Sequence, residues 1–333
     1  MSTYEVKNRS ELVFIYDIKD TNPNGDPEEN RPRIDEETEV NIVTDVRLKR
    51  TIRDYLANFK NEKIWLKEEL EEDGTRKTRE KKLEEEGVKE RKDAEKLLEK
   101  YIDLRLFGAL IAGKPEGKAK GEKVFRWTGP VQFKLGRSLH KVEDVLIRGT
   151  SVLPSTEMKT AGTFTETWIL PYAMICFYGI INEEAAKLTK LTEEDINKLL
   201  NGMWNGTKNL ITRSKIGQIP RLLIRVIYIE KYFHIGDLDK QIKLLDSEGK
   251  EIDKDGKSGK SLRSINDVKI DLTNLIEVLK INNNKIKKIC IEADNEVTFR
   301  VNNQEVKGKK DLINAMKGIK ELKDKIEDLQ LAM

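Results

Sequence analysis

The chain has 333 residues, a length that fits one large domain with insertions or two smaller domains. Charged residues make up 36% of it and the formal net charge is only +3. With two cysteines and two histidines, the chain has little material for a disulfide framework, a zinc site or a histidine-based catalytic pair. No apolar run reaches transmembrane length and the N-terminus has no signal-peptide core. We therefore expect a cytoplasmic protein with no membrane contact, no metal and no cofactor.

The first elements predicted in chain order are a strand, a loop and a helix. Residues 11–18 indicate a buried strand, and the loop after it is rich in Pro, Gly, Asn and Asp. Thr44 is the predicted N-cap of a helix. Residues 62–100, rich in Glu, Lys and Arg, predict a solvated helical hairpin inserted at the periphery. The helix after Thr44 has apolar residues at helical spacing, predicted to share one face: Leu48, Ile52, Tyr55, Leu56 and Phe59.

The middle of the chain predicts three more strands and a second helix. Residues 124–135 indicate a strand bent at Gly129-Pro130, and 168–181 and 221–229 are apolar strands. A capping box at Thr192 begins a helix over 192–211. The order strand, helix, strand, strand, helix, strand predicts an α+β fold. It is a ferredoxin-like palm with an antiparallel sheet, as in RNA-recognition domains. A hairpin at 149–166 would project between the second and third strands.

The last third of the chain predicts a further α+β region. We divide the chain into a palm over 1–235, which includes the helical insertion and the hairpin, and a C-terminal region over 236–333. The pattern fits either a separate domain or a region packed on the first sheet. Its predicted elements are a hairpin at 241–253, a helix at 271–281 that begins at Asp271, strands at 286–292 and 296–301, and a closing helix at 309–330.

Charge is segregated along the chain although the total is nearly balanced. Residues 123–142 and 196–229 contain Lys and Arg but no Asp or Glu. Basic segments in a near-neutral chain indicate a localised site for a polyanion. The alternative is chance clustering on solvated faces.

The first predicted helix is one candidate for phosphate contact. It carries more bases than its own Asp45 and Asp54 can neutralise, and it follows a Gly/Asn/Pro loop. This pattern favours a cradle for phosphates, and a solvated helix face is the alternative. The candidate residues on this helix are Arg47, Lys49, Arg50 and Arg53.

The connection between the second helix and the last strand of the palm is the second candidate. It has bases and hydrogen-bond donors, no acid nearby in sequence, and Gly217, which permits close approach of the backbone. The candidate residues here are Arg213, Ser214, Lys215, Gln218 and Arg221.

The hairpin at 149–166 contains residues suited to a contact with bases. Met158 and Phe164 at a hairpin tip can wedge between bases or stack on them, and Lys159 supplies charge. A flexible loop with a buried anchor is the alternative interpretation, and the residues alone do not decide between the two.

Five aspartates between residues 17 and 45 could bind a divalent ion, but their spacing matches no calcium loop. Asp, Asn, Gly and Pro also make ordinary turns, and this is the favoured interpretation. The aspartates are Asp17, Asp20, Asp26, Asp35 and Asp45.

Several segments taken together resemble one family, the backbone subunit of type I CRISPR Cascade complexes. The likeness is to a subtype I-B or I-C-like branch of the repeat-associated RNA-binding superfamily. It covers most of residues 10–235. The segments, in chain order, are NPNGDP with NRPRID at 22–35, VTDVRLKRTIRDYL at 43–56, TGPVQFKLGRSL at 128–139, TFTETW at 163–168 and SKIGQIPRLLIRV at 214–226.

The resemblance implies a hand-like protein without enzymatic activity. Copies would stack head to tail along a CRISPR guide RNA, and other Cascade subunits would cap the filament. A thumb at about 149–168 would displace one base at intervals and leave the others free to pair with target DNA. The palm contacts would come from Arg47, Arg50, Arg53 and the 213–221 segment.

Three alternatives stay open. The first is a metal-dependent ribonuclease of the same superfamily that acts on target RNA, with Asp26 or Asp35 as its acid. The second is a guide-processing ribonuclease, for which only His140 and His234 are available and neither has an evident partner. The third is a protein-interaction scaffold that binds no RNA.

Overall fold

A computed structural model of the chain describes residues 5–88, 91–113, 123–150 and 164–331. Its strands are β1 (Ser10–Thr21), β2 (Val40–Val43), β3 (Gly108–Gly113), β4 (Lys123–Thr128), β5 (Val131–Phe133), β6 (Gly136–Lys141), β7 (Val145–Thr150), β8 (Phe164–Ile181), β9 (Ile219–Tyr228), β10 (Lys243–Leu245), β11 (Lys269–Asp271), β12 (Ile286–Ala293), β13 (Thr298–Val301), β14 (Gln304–Lys307) and β15 (Ile326–Asp328). Its α-helices are α1 (Asp45–Lys60), α2 (Arg79–Glu85), α3 (Arg91–Lys100), α4 (Ile102–Phe107), α5 (Glu183–Thr189), α6 (Glu193–Lys208), α7 (Thr273–Ile281) and α8 (Gly308–Lys317).

The largest sheet is built around β1. Its strand order is β15-β12-β9-β1-β8-β6-β2, and β5 and β7 also pair with β8. β1 runs antiparallel to both neighbours, with Ser10 opposite Ile181 of β8 and Ile227 of β9. β12 and β15 are parallel, so the sheet is mixed. Two smaller sheets have the orders β10-β11-β13-β14 and β3-β4. The predicted α+β class is therefore confirmed.

Helices α1 and α6 cover one face of this sheet. Alternate residues of β1, among them Leu12 and Phe14, pack in one core with Ile52 of α1 and Leu199 of α6. Both helices begin where their N-caps were predicted. Thr44 accepts a hydrogen bond from the N–H of Arg47, and the Thr192 capping box is formed.

The C-terminal third of the chain covers the other face. Val13 and Ile15 of β1 share a second core with Ile276 of α7, Phe299 of β13 and Leu312 of α8. β12 and β15 also extend the main sheet itself. Both parts of the chain thus contribute to one sheet, and the division near residue 235 stays a prediction.

The insertion at 62–100 differs from the expected solvated hairpin. It holds a small core of its own, in which Trp65, Leu83 and Leu97 pack with Tyr101 and with Ile111 of β3. Gly74 and Gly87 lie outside its helices with positive φ, a conformation that glycine adopts readily. The segment is a compact unit of short helices with a charged exterior.

Two predicted elements were wrong in extent. The strand at 124–135 is two strands in different sheets, β4 and β5, separated at Gly129-Pro130. The closing helix at 309–330 ends at Lys317, and the chain then returns to the main sheet as β15. Phe59 lies on the same face of α1 as Tyr55, as predicted, and is 56% exposed.

Candidate nucleic-acid interface

Two cations from distant parts of the sequence meet beside the C-terminal end of β1. Arg47 lies in the first turn of α1, and Lys215 lies in the connection between α6 and β9. Burial lowers the pKa of Lys215, and the charge of Arg47 lowers it further, as expected for two neighbouring cations. In the described ranges, neither residue makes an ion pair with a carboxylate. We call Arg47 and Lys215 the cation pair.

Arg47 is held only partly by protein groups. One of its terminal nitrogens, Nη2, donates to Oγ1 of Thr51 at 3.0 Å. Its Nε is buried and has no hydrogen-bond partner among the described residues. Burial lowers the pKa of the guanidinium, while the charge of Asp54 acts in the opposite direction. A half-buried cation with an unused donor is suited to bind an anion.

The loop after β1 fixes this arrangement through hydrogen bonds. Lys215 Nζ donates to the carbonyl of Asn22 at 3.1 Å, and the N–H of Asn22 donates to the carbonyl of Ser214 at 3.1 Å. Asn24 Oδ1 accepts from both the N–H and the hydroxyl of Thr44, at 2.9 and 2.8 Å. The loop thereby connects the N-terminus of α1 to the segment after α6.

Two further polar atoms of this region are buried without a partner in the described part of the chain. They are Asn22 Oδ1 and Gln218 Nε2. Buried polar atoms are nearly always hydrogen-bonded, so both atoms are available for a hydrogen bond in addition to those of the described residues. Asn22 and Asn24 were not among the predicted site residues, although the NPNGDP segment that contains them was singled out.

The other three bases predicted on α1 each have an acidic partner. Lys49 Nζ lies 2.9 Å from Asp45, and Arg50 Nε lies 2.8 Å from Asp54. Arg53 Nε lies 3.0 Å from Asp103, a fully buried carboxylate that also accepts from the N–H of Trp65. Asp45 and Asp54 thus neutralise one base each, as expected, and the carboxylate that pairs with Arg53 comes from α4, which the sequence analysis did not anticipate. Whether these three bases contact RNA stays a prediction.

One base of the connection to β9 pairs with acids that are distant in sequence. Arg221 is buried, and its Nε lies 2.9 Å from Asp17 and its Nη1 3.3 Å from Asp294. The interpretation that no acid competes for it was wrong, since Asp17 lies on β1. Arg213 is exposed and makes no ion pair within the described ranges, and Ser214 is half-buried.

The predicted hairpin is described only at its base. β7 pairs with the first part of β8, with Leu146 opposite Trp168 and Thr150 opposite Phe164. β8 then continues without a break into the main sheet as far as Ile181. Met158, Lys159 and the side chain of Phe164 lie outside the described residues.

Asp26 and Asp35 take part in turns. Asp26 accepts from the N–H groups of Glu28 and Glu29 at 2.9 and 2.8 Å, and these backbone bonds lower its pKa. Asp35 lies 3.0 Å from Arg137, which is the largest cause of its lowered pKa. Asp35 also accepts from the N–H groups of Glu37 and Thr38. Both aspartates therefore form turns with the residues that follow them, which was the favoured interpretation.

His140 has a structural environment. It is buried, and its Nε2 accepts from the N–H of Met174 at 3.1 Å, while Nδ1 lies 2.9 Å from the carbonyl of Lys141. Burial lowers its pKa, so the ring is neutral near pH 7. His234 is exposed.

Comparison with known proteins decides the family. A family model described as CRISPR-associated protein Cas7 matches residues 8–273. A protein of Haloferax volcanii named CRISPR-associated protein Cas7 is 34% identical over 327 residues, which cover 90% of this chain and 91% of that one. This chain belongs to the Cas7 family. The family predicted from the five motif segments is therefore confirmed, and the subtype stays a prediction.

Comparison with solved structures gives matches at lower identity. A chain titled "CRISPR RNA-guided surveillance complex, pre-nicking" has a TM-score of 0.50 and 12% identity, and the match covers 85% of this chain and 92% of that one. Another, titled "CRISPR RNA-guided surveillance complex", has a TM-score of 0.49 and 13% identity over 86% and 88% of the two chains. At this identity the first likeness concerns the fold alone. The described residues of this Cas7 protein include no helix of the length and apolarity needed to cross a bilayer.

Proposed function

We propose that this Cas7 protein binds a CRISPR guide RNA along its phosphate backbone. The observation that carries the proposal is the cation pair, whose two half-buried members flank the loop after β1. Asn22 of that loop accepts from Lys215, and Asn24 accepts from Thr44, the N-cap of the helix that carries Arg47. Neither cation has a carboxylate within ion-pair distance in the described ranges. A protein that accepts any guide sequence has to hold phosphates and leave base edges free. Two cations held in place by hydrogen bonds can bind phosphates whatever the base sequence is.

The sheet supports a ferredoxin-like palm as the platform for this site. β9, β1, β8 and β6 are neighbours in that order, α1 lies in sequence between β1 and β6, and α6 lies between β8 and β9. This is the strand order that the split βαβ pattern generates. In this palm the cation pair lies where the loop after β1 meets the start of α1.

The thumb and the filament are parts of the same proposal. The two-stranded base formed by β7 and β8 supports a hairpin that projects from the palm, with Met158, Lys159 and Phe164 as its candidate contacts. Copies of the chain would bind head to tail along the guide, an open arrangement that a heterologous interface produces. Target DNA would pair with the exposed bases, and other Cascade subunits would cap the ends.

A scaffold without enzymatic activity is favoured over a metal-dependent ribonuclease. Asp26 is occupied by backbone donors and Asp35 by Arg137, so neither carboxylate is aimed at a common point with the other acids of the loop. Among the described residues, no group of three or more His, Cys, Asp or Glu side chains is arranged to hold a metal ion.

The cation pair is tested by the salt dependence of RNA binding. Replacing both residues, Arg47→Ala with Lys215→Ala, should weaken binding to single-stranded RNA. It should also reduce the slope of log affinity against log salt concentration by about 1.4, since each phosphate contact on a single strand contributes about 0.7. Fluorescence anisotropy over a range of salt concentrations measures both quantities.

Lys187→Ala is the matched control. Lys187 is an exposed base on α5 that pairs with Glu184 and lies outside the predicted site. Its removal should leave both the affinity and the salt slope unchanged. If the double variant folds normally and keeps the wild-type slope of log affinity against log salt concentration, the cation pair does not contact phosphates.

A further inference from the structure

A groove continues from the cation pair along α1. It lies between α1, residues 67–68 of the insertion, Gly206 near the end of α6 and residues 209–212 after that helix. Its volume is about 360 Å³. Thr51 lines this groove and also accepts the hydrogen bond from Arg47, so the groove and the cation pair are contiguous. We call it the α1 groove.

The floor of the α1 groove carries a stacked aromatic pair. The rings of Tyr55 and Phe59 have centroids 5.1 Å apart and an interplanar angle of 18°. Tyr55 is buried and is fixed by α6, because a Cβ on Gly206 would lie only 2.9 Å from the Cβ of Tyr55. Phe59 is 56% exposed. An aromatic ring held from one side and exposed to solvent is suited to stack on another planar group.

The charge around the α1 groove favours an anionic occupant. Lys67 lines the groove. Residues 209–212 form one wall, and Lys208 and Arg213 are the residues immediately before and after that segment. None of these three bases makes an ion pair within the described part of the chain, whereas the acids Asp54 and Glu68 are already paired with Arg50 and Arg76. The groove therefore combines a planar apolar surface with uncompensated positive charge.

We propose that the α1 groove binds a base of single-stranded RNA, stacked on Phe59. The strand would enter from the cation pair, which lies about 18 Å from Phe59 along the helix axis. Stacking on an aromatic ring tolerates any base, because every base presents a π face. This inference rests on the proposed function, since it assigns a second contact to the same bound strand. An acidic protein segment would match the charge but would leave the stacked rings without a planar partner.

Abasic RNA tests the stacking contact separately from phosphate binding. The probes are a short oligouridine that holds one copy of the protein and an abasic oligomer of the same length. The wild type should prefer the oligouridine. Phe59→Ala should weaken binding to oligouridine by about 5- to 100-fold, in line with the loss of one base–aromatic stack, and should leave binding to the abasic strand and the salt slope unchanged. Phe59→Trp should keep the preference for oligouridine. The fluorescence of the introduced tryptophan should be quenched by oligouridine and not by the abasic strand.

Tyr232→Ala is the control, because Tyr232 is an equally exposed aromatic residue, 60% exposed, beyond the opposite end of β9. Phe59→Ala could keep the preference for oligouridine, or its affinity for both probes could fall by the same factor. Either result would overturn the stacking site and leave the proposal of RNA binding intact. If Phe59→Ala instead binds one copy normally but blocks the addition of further copies on longer RNA, the groove is a protein interface. If the wild type binds neither probe, the proposed function itself fails.

Discussion

Glu11 is a fully buried carboxylate of β1 that contacts β8, β9 and the segment after β9. It accepts hydrogen bonds from the hydroxyls of Tyr178 and Tyr228, and from the N–H groups of Ile235 and Gly236 at 2.8 Å each. Burial, and next the interaction with Glu11, raise the pKa of both tyrosines, so they stay protonated and remain donors. Four donors supply the stabilisation that a buried carboxylate requires.

Glu11→Ala should lower the free energy of unfolding by about 3–5 kcal/mol, because it leaves two buried hydroxyls and two part-buried N–H groups without their acceptor. Urea denaturation followed by circular dichroism measures the loss. Glu277→Ala, which removes an exposed carboxylate paired with Lys280 on α7, is the control and should change stability by less than about 0.5 kcal/mol. Equal losses in the two variants would contradict the role assigned to Glu11.

Single residues also show which parts of the candidate site a sequence pattern can bring together, while their contact with RNA stays a prediction. Arg47, Ser214 and Lys215 were predicted because bases near a turn-rich loop are typical of phosphate sites, and the structure brings them to one place. Arg53 and Arg221 were predicted for the same reason, yet their partners Asp103 and Asp17 are distant in sequence. Local charge counts cannot anticipate ion pairs that form only when the sheet and helices assemble.

At the scale of elements, the contact between α1 and α6 depends on two glycines. A Cβ on Gly202 would lie 2.9 Å from Cγ2 of Ile52, and one on Gly206 would lie 2.9 Å from Cβ of Tyr55. These distances are shorter than side chains tolerate, so either substitution has to move the helices apart. The position of Tyr55, and with it the α1 groove, follows from this close approach.

Gly206→Ala should therefore destabilise the protein by about 1–3 kcal/mol, the usual cost of overpacking, although alanine is the better helix former by about 1 kcal/mol. The midpoint of urea denaturation measures the net effect. A rise in stability would mean that helix propensity outweighs the contact and that α1 and α6 are not held together at Gly206.

Elements with a local signal were predicted well. The caps at Thr44 and Thr192 and the long apolar runs of β1 and β8 are encoded within a few residues, so their existence and type followed from the pattern. The short strands β5 and β6 carry no such signal. They are strands because β8 offers them a pairing edge, and this is a tertiary effect.

At the scale of the whole molecule, the sheet has both faces covered, one by α1 and α6 and the other by the C-terminal third. Many RNA-recognition domains bind RNA on an open face of their sheet. β1 has no such open face, because side chains cover it on both sides. The candidate RNA surface lies instead at the end of β1 and along α1. The sequence left open whether residues 236–333 pack on the palm, because no local pattern specifies which surface a second apolar cluster contacts.

The central claim is that copies of this Cas7 protein assemble along RNA. Analytical ultracentrifugation of the protein mixed with single-stranded RNAs of increasing length, in EDTA, tests it most directly. If copies assemble along RNA, the number of bound copies should rise in steps with RNA length, and binding should weaken as salt is added. A particle of fixed stoichiometry at every length, or a protein that ignores RNA, would contradict it.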